Sequence, residues 1–350
     1  QSTMSDTSGT VLVTGPNGGI GIGFASQLLQ SPYATIHETI YAVRDPEKAV
    51  ALKTVLKTAP KDHKHLVLPL DLTSLDNIRQ FAADVNKRVA AGSLQPIQAL
   101  VFNAGVKDCM GDNFTTDGYE HTFAVNYLAN FLLSLLLLQS MDKQCGRIVY
   151  VGSTAAFITG GPNPEIFVSE QQKKAFITTT EKMAKGIEEF PDPKGDLNGI
   201  GDRRYALSKL LLAMWMYEFQ RRLDADPKLS NIAVLGLDPG WVGGTELARS
   251  CPPLPKFIFQ NILNLIGYIM SFFSSNPLIR TPSKVGADFL RVCFDRKAFG
   301  EFPKARYVNG SELYHTPEEA ADEKQQKLLW EGSLKLVGVK GDHTILDNWE

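Results

Sequence analysis

The chain has 350 residues, 43% of them hydrophobic and 21% charged, with 36 Lys and Arg against 38 Asp and Glu. A formal charge of -2 and a pI near 6.4 give no overall pull towards nucleic acid or an anionic membrane, so any selectivity has to be local. Four widely spaced cysteines, Cys109, Cys145, Cys251 and Cys293, show no metal-type pairing and point to a reducing, cytoplasmic setting rather than a disulfide framework.

In chain order, residues 1–9 are polar without an apolar core and are expected to form a flexible N-terminus rather than a secretory signal. Short β-branched runs then alternate with helical patterns. Strands are expected at 10–14, 39–43, 66–70, 99–102, 147–151 and 232–237, and helices at 20–30, 47–58, 74–91, 119–141 and 204–223. This alternation predicts an α/β fold, a doubly wound parallel sheet with helices on both faces. Residues 154–203 and 246–282 interrupt the rhythm and read as two insertions over the active-site edge of one domain spanning 10–340, with 341–350 as a tail. The most membrane-like stretch, 257–273, is interrupted by Gln260, Asn261 and Asn264. It reads as a buried or lid helix without a stable span, with peripheral membrane contact as the alternative. A final strand at 305–308 and a capped helix after Thr316 close the pattern. His63-x-His65 is read as a solvated turn rather than a metal site, and no metal is expected.

The first strand runs into Thr14-Gly15-Pro16-Asn17-Gly18-Gly19-Ile20-Gly21-Ile22-Gly23, where a helix begins. Strand, glycine loop and helix N-terminus together let backbone amides approach a pyrophosphate. The second strand ends at Val43, where an NAD site would place an acid on the ribose 2'-hydroxyl. Arg44 stands there instead, and a guanidinium pairs with a 2'-phosphate, which favours NADP(H). The alternative has Asp45 on the ribose and Arg44 as a solvated charge.

Tyr205-Ala206-Leu207-Ser208-Lys209 places a phenol and an ammonium one helical turn apart, and the ammonium is expected to depress the phenol pKa towards neutrality. The spacing alone is weak. Its context is Asn103-Ala104-Gly105 after the fourth strand, Asn126 within the long helix, and Gly152-Ser153 after the fifth strand. With these five features in this order, the chain resembles the short-chain dehydrogenase/reductase family, over about residues 10–339. Its pattern is similar to the retinol dehydrogenase-like and protochlorophyllide reductase-like branch.

The resemblance implies a Rossmann-type fold in which Tyr205 is the general acid or base, Ser153 binds the substrate oxygen, and Lys209 holds the nicotinamide ribose and tunes Tyr205. It further implies that Asn126 supports a relay water, that Asn103, Ala104 and Gly105 line the cofactor path, and that Asp71-Leu72 meets the adenine. Ser153 as a mere turn cap and Asn126 as a core amide are the bland alternatives. After Asp238-Pro239-Gly240, the family's cofactor-amide threonine falls one residue late, at Thr245. The backbone around Pro239, Gly240 and Val242 is still expected to flank the nicotinamide.

Phe157, Ile158, Phe257, Ile258 and Phe259 are expected as apolar pocket walls. The stripe Leu210, Leu211, Met214, Met216 and Tyr217 is expected in the core or in a homodimer. The expected activity is NADPH-dependent reduction of a ketone or aldehyde on a bulky, mostly apolar small molecule such as a secondary metabolite. C=C reduction, alcohol oxidation and an NADP-binding scaffold or redox sensor are the rivals.

Overall fold

The computed structural model describes residues 9–108, 113–158, 177–187, 197–245 and 261–350, together with Leu247 and Phe257. The strands are β1 (Thr10–Thr14), β2 (Glu38–Val43), β3 (His65–Pro69), β4 (Ile97–Phe102), β5 (Arg147–Val151), β6 (Ala233–Asp238), β7 (Trp241–Val242), β8 (Ile279–Arg280), β9 (Arg306–Asn309) and β10 (Glu312–Tyr314). Eight of them form one sheet in the order β10-β9-β6-β5-β4-β1-β2-β3. Pairing is parallel throughout except for the antiparallel β9/β10 edge. Every residue of β1, β4, β5 and β6 is buried, as strands covered on both faces must be. The fold is Rossmann-type, and the strand order reverses between β1 and β4, opening a crevice at their carboxyl ends.

The longer helices are α1 (Gly19–Leu29), α2 (Val50–Leu56), α3 (Leu75–Ala90), α4 (His121–Ser140), α5 (Leu197–Ala225), α6 (Leu263–Met270), α7 (Pro282–Phe294) and α8 (Glu323–Val337). One face of the sheet packs α3, α4 and α5 around Phe131, Trp215 and Phe219, and the other packs α1 and α7 around Phe24 and Phe289. On that second face α1 and α7 touch backbone to backbone, because a Cβ on Gly23 would lie 2.0 Å from the Pro282 oxygen and one on Gly286 2.3 Å from the Gly23 oxygen. Among the described residues, α4 is the one helix long and apolar enough to cross a membrane, and it is 94% buried inside the protein.

Several expectations need correction. Residues 197–203, placed in the first insertion, are the opening turns of α5, which runs on through Gly199 and Gly201 into the stretch from Leu210 that packs in the core. In the second insertion, α6 is α-helical over Leu263–Met270 and is preceded by π-helical residues 261 and 262, and β8 pairs with β7 as a separate two-stranded ribbon. The outer side of α6 is apolar: Leu265, Tyr268 and Ile269 are exposed, as are Phe272 and Phe273 beyond it. Residues 341–350 do not trail away, since Leu346 is buried and the Trp349 carbonyl accepts the Trp330 indole N–H at 2.7 Å. The stripe Leu210, Leu211, Met214 and Met216 is core, and Phe219 on the same helix stacks on Trp330 of α8, so the chain's own C-terminus covers α5. His63 is buried rather than solvated, with ring nitrogens 2.7 Å from the Ala34 carbonyl and 3.4 Å from the Tyr41 hydroxyl.

Candidate active site

The carboxyl ends of β1, β4, β5 and β6 surround a cavity of about 1070 Å³. All of the expected catalytic and cofactor-binding residues line it except Asn126. At its head, β1 turns at Gly15, whose φ of +64° places it in the left-handed region that glycine enters without strain. A Cβ on Gly21 would lie 2.5 Å from the Gly15 carbonyl, so the first turn of α1 closes directly on the loop. Asn103 fastens the same point from β4, donating to the Thr14 and Gly15 carbonyls at 2.9 and 3.0 Å, while Ala104 N–H donates to Thr14 Oγ1 at 3.1 Å. Asn17 Oδ1 accepts the Leu52 N–H at 3.0 Å, tying the loop to α2. This bare, amide-lined concavity at a helix N-terminus fits a dinucleotide pyrophosphate.

Further along the cavity, Asp71 holds its own turn by accepting the Thr73 N–H and hydroxyl at 3.0 and 2.7 Å. Arg44 is exposed beside the cavity. Asp45 is engaged with Lys48 at 2.9 Å and with the Glu47 and Lys48 amides at 3.0 and 3.3 Å, and its carboxyl is held below the usual range by that lysine. Lys48 itself lines the cavity, a second cation that the motif reading missed because no spacing rule marks it.

Ser153 begins a short helical turn and accepts the Ala155 N–H at 3.1 Å, so it does cap a turn. It also lies close enough to the Tyr205 side chain to lower that phenol's pKa, which a mere cap need not do. Lys209, one turn along α5, lies with Nζ 5.5 Å from the Tyr205 ring centre and donates to the Val151 carbonyl at 2.8 Å. The phenol is not depressed towards neutrality as expected. Burial pushes it well above its ordinary value, Ser153 offsets part of this, and the Asp238 carboxylate adds to it. Burial lowers Lys209 to about 8, opposed by Asp238.

Asn126 sits in a π-helical stretch of α4, Ala124–Leu128, a widening often found at functional sites. Its amide accepts the Val106 N–H at 2.8 Å and donates to the Val106 carbonyl at 2.9 Å and to Ser208 Oγ at 3.0 Å. It thereby clamps the segment leaving Gly105 against α5, outside the cavity lining. Thr245, despite its late position, reaches the wall: the extra residue is absorbed at Gly244, whose φ is +72°, and a Cβ on Gly19 would lie 2.9 Å from Thr245.

The expected apolar walls are not where they were placed. Phe157 packs edgewise on His315 at 5.4 Å, Ile158 is in the core and Phe257 is exposed; Ile258 and Phe259 lie outside the described residues. In their place Val106, Val125, Trp241 and Leu247 line the cavity, along with His121 and the ion pair of Lys107 with Asp202.

Sheet order, glycine loop and the Ser153–Tyr205–Lys209 cluster together define a nicotinamide-dependent oxidoreductase of the Rossmann class. A family model described as short chain dehydrogenase matches residues 9–187, and the chain belongs to that family. It is 38% identical to the short-chain dehydrogenase iccH of Talaromyces variabilis, over 98% of this chain and 99% of that one. It is 30% identical to protochlorophyllide reductase A of Arabidopsis thaliana, over 95% and 77%. An NADPH-bound carbonyl reductase from chicken fatty liver has the same fold, with a TM-score of 0.54 and 21% identity over 88% of this chain and 98% of that one.

Proposed function

We propose that the protein is an NADPH-dependent reductase of a ketone or aldehyde on a bulky small molecule, with Tyr205 as proton donor. The observation carrying this reading is the convergence of Ser153, Tyr205 and Lys209 on one cavity wall, opposite a loop built for a pyrophosphate. When bound, the nicotinamide supplies hydride to the carbonyl carbon. Ser153 hydrogen-bonds the carbonyl oxygen and orients it. Tyr205, neutral at working pH because burial raises its pKa, donates its proton to that oxygen as negative charge develops. Lys209 would hold the nicotinamide ribose. Arg44 and Lys48 would hold the 2'-phosphate, while Asp45, the acid next to Arg44, is engaged with Lys48.

The substrate end combines apolar Trp241, Val125 and Leu247 with Lys107, Asp202 and His121. A large molecule with polar substituents at its rim suits this lining better than a wholly apolar one. A screen of carbonyl compounds following NADPH oxidation tests the reading. Tyr205→Phe should lower kcat by about 1000-fold while NADPH affinity stays within about twofold. Turnover that survives the change refutes the assignment. The likeness to protochlorophyllide reductases supports a second reading, C=C reduction with Tyr205 protonating carbon, and deuterium at the nicotinamide position separates the two by where the label appears in the product.

A further inference from the structure

We propose that Asp238 is a positioning residue whose buried carboxylate holds the positive charge on Lys209, and through it the proton balance of the Tyr205–Lys209 pair. The proposal rests on the reading of that pair given above. Asp238 ends β6 and is fully buried. Its Oδ1 accepts the Gly240 N–H at 2.8 Å, which fixes the turn into the nicotinamide-flanking backbone, but its Oδ2 has no hydrogen-bond partner among the described residues. A turn cap needs only the first oxygen, and a neutral asparagine would supply it without desolvating a charge. The carboxylate therefore needs another reason to be there.

That reason lies on the α5 side of the sheet. Lys209 is 4% exposed and its hydrogen bond goes to a neutral carbonyl, which alone does not keep a buried ammonium charged. The Val151 carbonyl that holds Lys209 Nζ belongs to the β5 residue paired with Leu237, next to Asp238 on β6, and from there the Asp238 carboxylate raises the proton affinity of the ammonium against the pull of burial. The groups facing Asp238 can be named element by element. Lys209 and Tyr205 come from α5, Tyr150 from β5, Tyr307 from β9, and Arg280 from β8.

The two phenols from β5 and β9 are lateral neighbours of Gly236, since Tyr150 pairs with Gly236 and Gly236 with Tyr307. They lean over it closely enough that a Cβ there would lie 2.6 Å from the Tyr150 hydroxyl. Tyr307 accepts the Ser153 N–H at 3.1 Å, so this layer also fixes the catalytic serine's backbone. Arg280 donates to the Asp238 carbonyl at 3.3 Å and to Asn309 Oδ1 at 2.7 Å, and its charge is shared with Asp288 and Glu312. Burial raises Asp238 to about 6, and Arg280 and Lys209 oppose the rise. At neutral pH it is the anion facing Lys209.

The test reads NADPH binding by fluorescence from pH 7 to about 10, above the range in which the 2'-phosphate titrates, and needs no carbonyl substrate. Wild-type affinity should fall as pH rises through the Lys209 ionisation near 8. Asp238→Asn keeps the acceptor for Gly240 and removes the charge, so the fall should move to lower pH by about one unit. Asp238→Ser, also neutral and less demanding to fit, should move it the same way. A midpoint unmoved in a variant that binds NADPH overturns the proposal. So does loss of NADPH binding at every pH in both variants, which would assign the carboxylate to folding. Failure of the wild-type chain to bind NADPH would instead count against the cofactor reading itself.

Discussion

Arg44 and Lys48 stand on the turn after β2 at the edge of the same cavity, and their chemistry differs. A guanidinium meets a phosphate through paired N–H donors, whereas an ammonium acts as a point charge already shared with Asp45. Arg44→Ala should raise KM for NADPH by about tenfold or more, the size of one or two charge-assisted hydrogen bonds, and leave KM for NADH nearly unchanged. Lys48→Ala should act in the same direction and less. Steady-state kinetics with both cofactors checks this, and equal effects on the two would remove Arg44 from the 2'-phosphate. At this scale the sequence made the placement of Arg44, Ser153, Tyr205 and Lys209 on the cavity legible, because each stands at a fixed place relative to a strand end or a helix turn. Lys48, Asp202 and Asp238 were not legible, since what matters about them is which charge they face, and that depends on contacts between elements distant in the chain.

Among elements, the glycine-rich run after β1 serves two purposes that the sequence does not separate. Gly15 and Gly21 shape the loop, but Gly23 lies on the far side of α1, where it allows α7 to approach until Gly286 meets the Gly23 backbone. Gly23→Ala would place a methyl within 2.0 Å of the Pro282 oxygen, and backbone cannot yield as a flexible side chain does. The expected cost is about 3 kcal/mol, read as a lower denaturant midpoint. Gly18→Ala meets nothing nearer than 3.7 Å at an ordinary negative φ, so it should leave stability within about 0.5 kcal/mol. Comparable losses in the two variants would show that the helix crossing is not what sets the cost. The alternating strands were readable because each is a short apolar run with a helix after it. The opening turns of α5 were not, since glycines at 199 and 201 mimic a loop and are overridden only by tertiary packing. The π-helical stretch at Asn126 leaves no mark in hydrophobic spacing either.

For the whole molecule, the two ends of the chain meet the same sheet from opposite directions. β1 occupies the centre and β9 joins β6, and the chain then crosses α5 with α8 before finishing against it. Residues 341–350, polar enough to read as a tail, complete this cover. Leu346 is 1% exposed, Trp349 satisfies the Trp330 indole, and Arg222 of α5 lies over the Trp330 ring at 4.5 Å while donating to the Asn348 and Glu350 carbonyls. Deleting 341–350 therefore removes the buried Leu346 and the half-buried Trp349 from the core and leaves a buried indole N–H without its acceptor. Leucine removal costs about 2–5 kcal/mol and the orphaned donor about 1–3 kcal/mol, so the truncated protein should lose several kcal/mol and melt several degrees lower. The contacts lie at the Arg222 end of α5, four turns beyond Lys209, and the cavity is lined by none of these residues. NADPH affinity measured below the new melting temperature should therefore match that of the full chain. A truncated protein that melts normally would show that the cover is dispensable, whereas one that melts normally yet binds NADPH weakly would show that the C-terminus acts on the cofactor site through α5.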